Sequence, residues 1–315
     1  MEPSLAAKDG RASVHALVAA CATMAIGAVA AADPPLPRCA SRVVSYVAGS
    51  GAGGAYQNPL RALGAPSRYT GTGIEPGAVT PFRPAFLSSE LVSIGRGGQL
   101  VLAFDQPIVD DPRNPWGVDL IVYGNAMFGD LAYPGGVPGY LFDEGGAIEL
   151  SPDGITWHAV PGARADGGLP TMGYADVGPY STVAGLVPTD PARPVDPAIT
   201  ADSLLGAGYE DVVAAYGGAA GGTGIDLADA GLATASFIRI RVAADAATVP
   251  EVDAVVAVRP RRMGDIDDDG DVDGADLGLM LGAWGSAGAG TAADLDADGD
   301  VDGADLGLML GGWGP

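Results

Sequence analysis

Between residues 42 and 260 the apolar positions recur with the period of strands. Short runs rich in β-branched and aromatic residues fall at 43–47, 99–104, 119–123, 147–150, 156–160, 237–242 and 252–258. In Phe237-Ile238-Arg239-Ile240-Arg241-Val242 the last five residues alternate apolar with charged, which predicts a strand with one buried face. Ser151-Pro152-Asp153-Gly154 separates two runs and predicts a hairpin turn, with Pro presetting φ and Gly taking the left-handed position. Gly- and Pro-rich stretches at 133–139 and 187–197 predict long loops. The period then changes. Leu277, Met280, Leu281 and Trp284 fall at i, i+3, i+4 and i+7, and Leu306, Met309, Leu310 and Trp313 repeat the spacing. That predicts two short helices with one apolar face each. Arg259-Pro260-Arg261-Arg262 precludes a helix before the first of them. The expected fold is mainly β. An antiparallel β-sandwich or jelly roll spans 42–258, and a linker at 259–263 leads to a small all-α module at 264–315.

Composition fits many turns and short strands, with 50 Gly and 25 Pro among 315 residues and no fixed period. The net charge of −23 is concentrated at the C-terminus, where 263–315 hold thirteen Asp and no Lys or Arg. This balance argues against nucleic acid or an anionic membrane surface as partner. Lys8 is the one lysine, and His15 and His158 are the two histidines. Chemistry by histidine pairs, His-rich metal sites or a Schiff-base lysine therefore has almost no material.

The N-terminus reads as a secretory signal. Lys8 and Arg11 precede an uncharged, Ala- and Val-rich stretch at 14–32, and Ala30-Ala31-Ala32 suits cleavage before Asp33. An uncleaved anchor helix and lipidation at Cys21 are the alternatives. Cleavage leaves a Pro-rich entry segment at 33–41, no membrane span, and Cys39 as a lone thiol without a disulfide partner. The expected location is outside the cell or on its surface.

Two tail segments, 265–285 and 294–314, match almost residue for residue at an offset of 29. Both read D-x-D-x-D-G-D-V-D-G-A-D-L-G-L-M-L-G-x-W-G. Calcium takes six to eight oxygens in a flexible shell, and a tight loop supplies them from positions 1, 3, 5, 7, 9 and 12. In the first loop these are Asp265, Asp267, Asp269, Asp271 through its carbonyl, Asp273 and Asp276. In the second they are Asp294, Asp296, Asp298, Asp300 through its carbonyl, Asp302 and Asp305. Gly270 and Gly299 occupy position 6, where the loop bends sharply. Val272 and Val301 at position 8 are suited to pairing the two loops. So many carboxylates repel one another without a cation, so metal binding and folding are coupled.

Loop then helix, twice, with no leading helix, resembles a type I dockerin over residues 264–315. Position 12 is Asp, as in dockerins, where the EF-hand pattern has Glu. The resemblance implies a cohesin-type partner met by positions 10 and 11. These are Gly274-Ala275 and Gly303-Ala304, in place of the hydroxyl pair common in cellulosomal dockerins. Because the two copies are identical there, the resemblance also implies docking in two orientations.

A second resemblance covers most of 42–258. Its marks are Asn58-Pro59 with Ala62-Leu63-Gly64-Ala65-Pro66, the run from Ser93 to Leu102, and Asp119-Leu120-Ile121-Val122-Tyr123-Gly124-Asn125. Ser151-Pro152-Asp153-Gly154-Ile155-Thr156-Trp157 and Gly224-Ile225-Asp226-Leu227-Ala228-Asp229 complete it. The order is similar to bacterial cell-surface proteins with galactose-binding-like (discoidin-type) jelly rolls, some of which bind glycans. Asp119, Asn125, Asp226, Asp229 and Asp253 are candidates for a further calcium site, against the plain reading that they cap turns. Trp116, Tyr123, Trp157 and Tyr174 are candidates for stacking on sugar, against a place in the core, which is the expectation for Trp157. No nucleophile elbow, phosphate loop or HExxH occurs, and no carboxylate pair is singled out for glycoside hydrolysis. The expected function is non-catalytic carbohydrate or ligand binding, or adhesion, with calcium-dependent attachment to a cohesin-like partner or the cell surface. The alternatives are a dockerin-bearing polysaccharide hydrolase or lyase, and a purely structural calcium-clamped surface protein.

Overall fold

A computed structural model of the chain describes residues 36–267, 270–285, 291–296 and 298–314. The signal stretch, the first residues of the entry segment and Asp269 lie outside the described residues.

Thirteen strands follow in order: β1 Arg42–Val47, β2 Tyr69–Thr70, β3 Gly77–Ala78, β4 Val92–Ser93, β5 Gln99–Val109, β6 Leu120–Gly124, β7 Met127–Asp130, β8 Pro138–Phe142, β9 Gly146–Ser151, β10 His158–Ala165, β11 Thr223–Ile225, β12 Thr234–Arg241 and β13 Glu251–Ala257. They form a five-stranded sheet, β1-β5-β12-β9-β10, a four-stranded sheet, β11-β6-β13-β4, and the hairpins β2-β3 and β7-β8. Every pairing is antiparallel. The mainly β, antiparallel expectation holds. Helices α1 Ala201–Leu204 and α2 Tyr209–Tyr216 interrupt the region between β10 and β11, and α3 Gly274–Gly282 and α4 Gly303–Gly311 lie in the tail.

The strand patterns explain how the sheets are buried. On β12, Ile238 and Ile240 are fully buried, whereas Arg239 and Arg241 face outward and share Glu149 of β9. A strand with one wet face alternates in this way. The run Leu120-Ile121-Val122-Tyr123 on β6 is apolar throughout because both of its faces are covered. Leu120 and Val122 join the core shared with β5, β9 and β12. Ile121 and Tyr123 join a second cluster with Ala192 and Ala220 on the opposite side. β13 divides the same way, with Val252, Val255 and Ala257 on one side and Ala254 and Val256 on the other. The inner faces of the two larger sheets thus share one core, consistent with a β-sandwich.

Ala192 and Ala220, from the stretch between β10 and β11, cover that side of β6 and β13, while α1 and α2 pack in a third cluster with Phe82 and Phe128 and are too short to show a periodic signal. In α2, Val212 and Tyr216 form the buried i, i+4 pair, and Gly217 ends the helix in the left-handed region at φ 55°. Trp157, expected in the core, is only half-buried. It lies under the Arg239 guanidinium, 4.2 Å from the ring centroid, on the wet face of the five-stranded sheet.

The linker is not loose. Arg259 N–H donates to the Ala192 carbonyl and its guanidinium pairs with Asp190 at 2.7 Å. Arg261 N–H donates to the Arg113 carbonyl. No helix among the described residues is long and apolar enough to cross a membrane.

The buried carboxylates picked out by sequence mostly staple loops. Asp119 accepts from Asn114 Nδ2 at 2.6 Å and from the N–H groups of Leu227 (2.9 Å) and Asp111 (3.3 Å). Asp253 accepts from the N–H and hydroxyl of Ser67. Asp226 accepts from Ala228 N–H. Asp119→Ala is expected to destabilise the chain by about 2–4 kcal/mol, because it orphans buried donors in two loops at once. Urea unfolding followed by tryptophan fluorescence checks this, and an unchanged midpoint would refute the stapling role.

Candidate metal centre

The two tail loops fold almost identically, and the reason is local. In the first, the Asp276 carboxylate accepts from the N–H groups of Ile266 (2.6 Å), Asp267 (3.2 Å) and Asp273 (2.8 Å). In the second, Asp305 accepts from Leu295 (2.7 Å), Asp296 (3.3 Å) and Asp302 (2.8 Å). Position 12 thereby ties the start of each loop to the start of its helix. Asp273 and Asp302 cap α3 and α4 by accepting from Ala275 and Ala304 N–H, each at 2.7 Å. Asp265 and Asp294 accept from Gly270 and Gly299 N–H across the bend, each at 3.1 Å. Those glycines sit at φ 99° and 101°, a region that side chains disfavour.

The bends bring carboxylates together. Single oxygens of Asp265, Asp267 and Asp276 lie within 4.8 Å of one another. The same holds for Asp271, Asp273 and Asp276, and for Asp294, Asp296 and Asp305. Positions 1, 3 and 12 converge in both loops. The sequence assigns position 7 through its carbonyl, whereas Asp271 also brings its carboxylate to the group. Asp298 accepts from Asp300 N–H at 3.1 Å, and Asp302 serves its helix cap.

Like charges crowd the second loop. Burial, and then the charges of Asp298, Asp305 and Asp294, raise the Asp296 carboxyl above the ordinary range. Asp300 is raised first by the charge of Asp298. Asp305 is held below the ordinary range, chiefly by the Asp302 N–H. Asp294 Oδ1 is buried with no hydrogen-bond partner among the described residues. A buried, ionisable oxygen facing other carboxylates fits a cation. The clusters can hold a metal ion, and an all-oxygen donor set suits a hard one.

The expected pairing of Val272 with Val301 takes a different form. Val272 forms a two-way backbone bridge with Gly314, beyond α4. The Gly285 N–H, beyond α3, donates to the Val301 carbonyl at 3.0 Å. Each loop is therefore bonded to the end of the other repeat, and both valines are buried with Met280, Ala293 and Met309. Leu277 and Leu306 are half-buried against this cluster, while Leu281, Trp284, Leu310 and Trp313 remain about half exposed. Gly274, Ala275, Gly303 and Ala304 are exposed on the first turns of α3 and α4. The first loop also touches the sheet domain, where Arg193 donates to the Asp267 carbonyl at 3.2 Å.

Elsewhere, Tyr123 is buried with its hydroxyl on the Pro191 carbonyl, so it presents no face to a sugar. Trp116 is 47% exposed. Tyr133, Tyr140 and Phe142, which sequence did not single out, are more exposed still, at 74, 59 and 58%. Cys39 is half-buried, and burial pushes its thiol up to about 11, so it is poorly nucleophilic. Two carboxylate groups also form outside the tail: Asp110, Asp119 and Asp226, and Glu144, Asp166 and Glu251. The second was not foreseen, because its members come from three distant stretches with no spacing to betray them.

No protein-family model and no curated protein matches this chain.

Proposed function

We propose that this is a secreted or cell-surface binding protein without catalytic activity. Its tail is a dockerin-like module that binds two calcium ions and attaches the chain to a cohesin-type partner. Its galactose-binding-like β-sandwich binds carbohydrate or another surface ligand. The observation that carries this reading is the repeated loop in which positions 1, 3 and 12 converge and position 12 is pinned by three N–H groups. Calcium supplies the charge that such a loop lacks. The half-exposed Leu281, Trp284, Leu310 and Trp313, beside the open first turns of α3 and α4, give a partner apolar surface on both repeats. On β8, Tyr140 and Phe142 project to the same exposed side of the strand and suit stacking on sugar rings. Glycan-array binding by the mature chain tests that half of the reading.

Attachment is tested on immobilised type I cohesin modules. Binding is expected with calcium and lost with EDTA. Ala275→Glu and Ala304→Glu are each expected to be tolerated, because one face remains. The double variant is expected to bind at least about tenfold more weakly, a loss of roughly 1.4 kcal/mol. Calcium-independent binding, or none to a broad cohesin panel, would remove the attachment role.

A further inference from the structure

We propose that Glu144, Asp166 and Glu251 form a third calcium site, separate from the tail and joining the two larger sheets. Glu144 lies in the turn between β8 and β9, Asp166 directly follows β10, and Glu251 opens β13. One oxygen from each lies within 4.8 Å of the others. Oxygens around a calcium ion at about 2.4 Å are at most about 4.8 Å apart, so one ion can reach all three.

The deciding feature is Asp166. It is 3% exposed, and its Oδ2 has no hydrogen-bond partner among the described residues. Its Oδ1 accepts from Ala126 N–H at 2.6 Å. The Asn125 and Glu251 N–H groups also favour the ionised carboxylate, without forming hydrogen bonds of ordinary geometry. The backbone is thus arranged for an anion whose second oxygen is left over. A buried acceptor in that state is unfavourable unless something satisfies it.

No basic side chain does so. Arg164 is engaged with Asp143 at 3.0 Å, and among the described residues no Arg pairs with Glu144, Asp166 or Glu251. Glu144 and Glu251 are half-exposed, so an ion can enter without opening the core. Three carboxylates and no nitrogen or sulfur donor select a hard cation. The irregular set, drawn from a turn and two strand ends, suits calcium better than the strict octahedron of magnesium. Because β9 and β10 lie in the five-stranded sheet and β13 in the four-stranded one, the ion would fasten the sheets together at this end.

The test is calorimetric titration of the chelator-treated mature chain with calcium chloride. Wild type is expected to bind three equivalents. Asp166→Asn and Glu144→Gln are each expected to bind two, and the tail variant Asp276→Asn/Asp305→Asn one. If Asp166→Asn does not fold by circular dichroism, Glu144→Gln in its half-exposed turn carries the test. A wild-type titration whose every equivalent disappears in the tail variant and persists in Glu144→Gln overturns the proposal. One wild-type equivalent, lost in Glu144→Gln and kept in the tail variant, upholds it while removing the tail sites. Magnesium displacing calcium at equal concentration overturns the assignment to calcium.

Discussion

Chelating calcium from the protein is expected to unfold both tail repeats while the sheets stay folded. Helices of nine residues do not persist alone in water. The apolar cluster that joins them has only five buried members, Val272, Met280, Ala293, Val301 and Met309. Such a core is too small to order the loops unaided. Against it stands the mutual repulsion of the loop carboxylates, visible in the raised Asp296 and Asp300. The expected record is a loss of helical signal at 222 nm with EDTA, fully restored by calcium, and proteolysis confined to the tail. At free calcium about 100 times the dissociation constant, each site adds about 2.7 kcal/mol. Asp276→Asn is expected to weaken the first site by more than the roughly 10–100-fold typical of changes one shell further out. It removes a ligand oxygen and also places an amide donor against loop N–H groups. Identical spectra and melting curves with EDTA and with calcium would end the metal-coupled reading of the tail.

Ile238→Ala is expected to cost about 2–5 kcal/mol, a large part of the stability of an ordinary domain. Ile238 sits on β12, the middle strand of the five-stranded sheet, opposite Leu102 of β5 and Leu150 of β9. All three are fully buried in the core shared with the four-stranded sheet. Truncation removes apolar contact on both sides and leaves a cavity that paired strands cannot close around. Arg239→Ala, one residue along on the wet face, tests the argument by contrast. It loses a partly exposed ion pair with Glu149 and the contact with Trp157. Its expected cost is about 1 kcal/mol. Equal losses for the two variants in urea unfolding would refute the one-sided burial assigned to β12.

The sequence made one-sided and two-sided strands legible because burial imposes a residue pattern on each. The alternating Ile238-Arg239-Ile240-Arg241 and the unbroken Leu120-Ile121-Val122-Tyr123 become opposite faces of the same architecture. The convergence of carboxylates in the tail loops was legible because oxygens that meet at one point of a single loop must follow a fixed spacing. Asp269 is the one proposed ligand that lies outside the described residues. Helices α1 and α2 were not legible. Val212 and Tyr216 make one helical repeat between glycines, which is too little to stand out. Asp119 and Asp253 were singled out as calcium candidates, and in the structure both accept loop N–H groups, Asp119 also lying within reach of Asp110 and Asp226. The converse failure is Glu144, Asp166 and Glu251. Pairing of β9 with β10 and packing of the two sheets assemble them across more than 100 residues of chain, and no local pattern records such a meeting. Val272 and Val301 were recognised as pairing residues, but only the packing of α3 against α4 decides what each meets.

That exchange of partners has an evolutionary consequence. A lone repeat would hold a valine carbonyl without its glycine donor and a helix end without its valine. Two separate copies related by a two-fold axis would supply both, through an isologous contact in which each gives what it receives. The covalent tail has the form of such a homodimer fused into one chain. Fusion removes the dependence on concentration that a dimer suffers. It also frees the two copies to diverge, and their near-identity here means that little divergence has taken place.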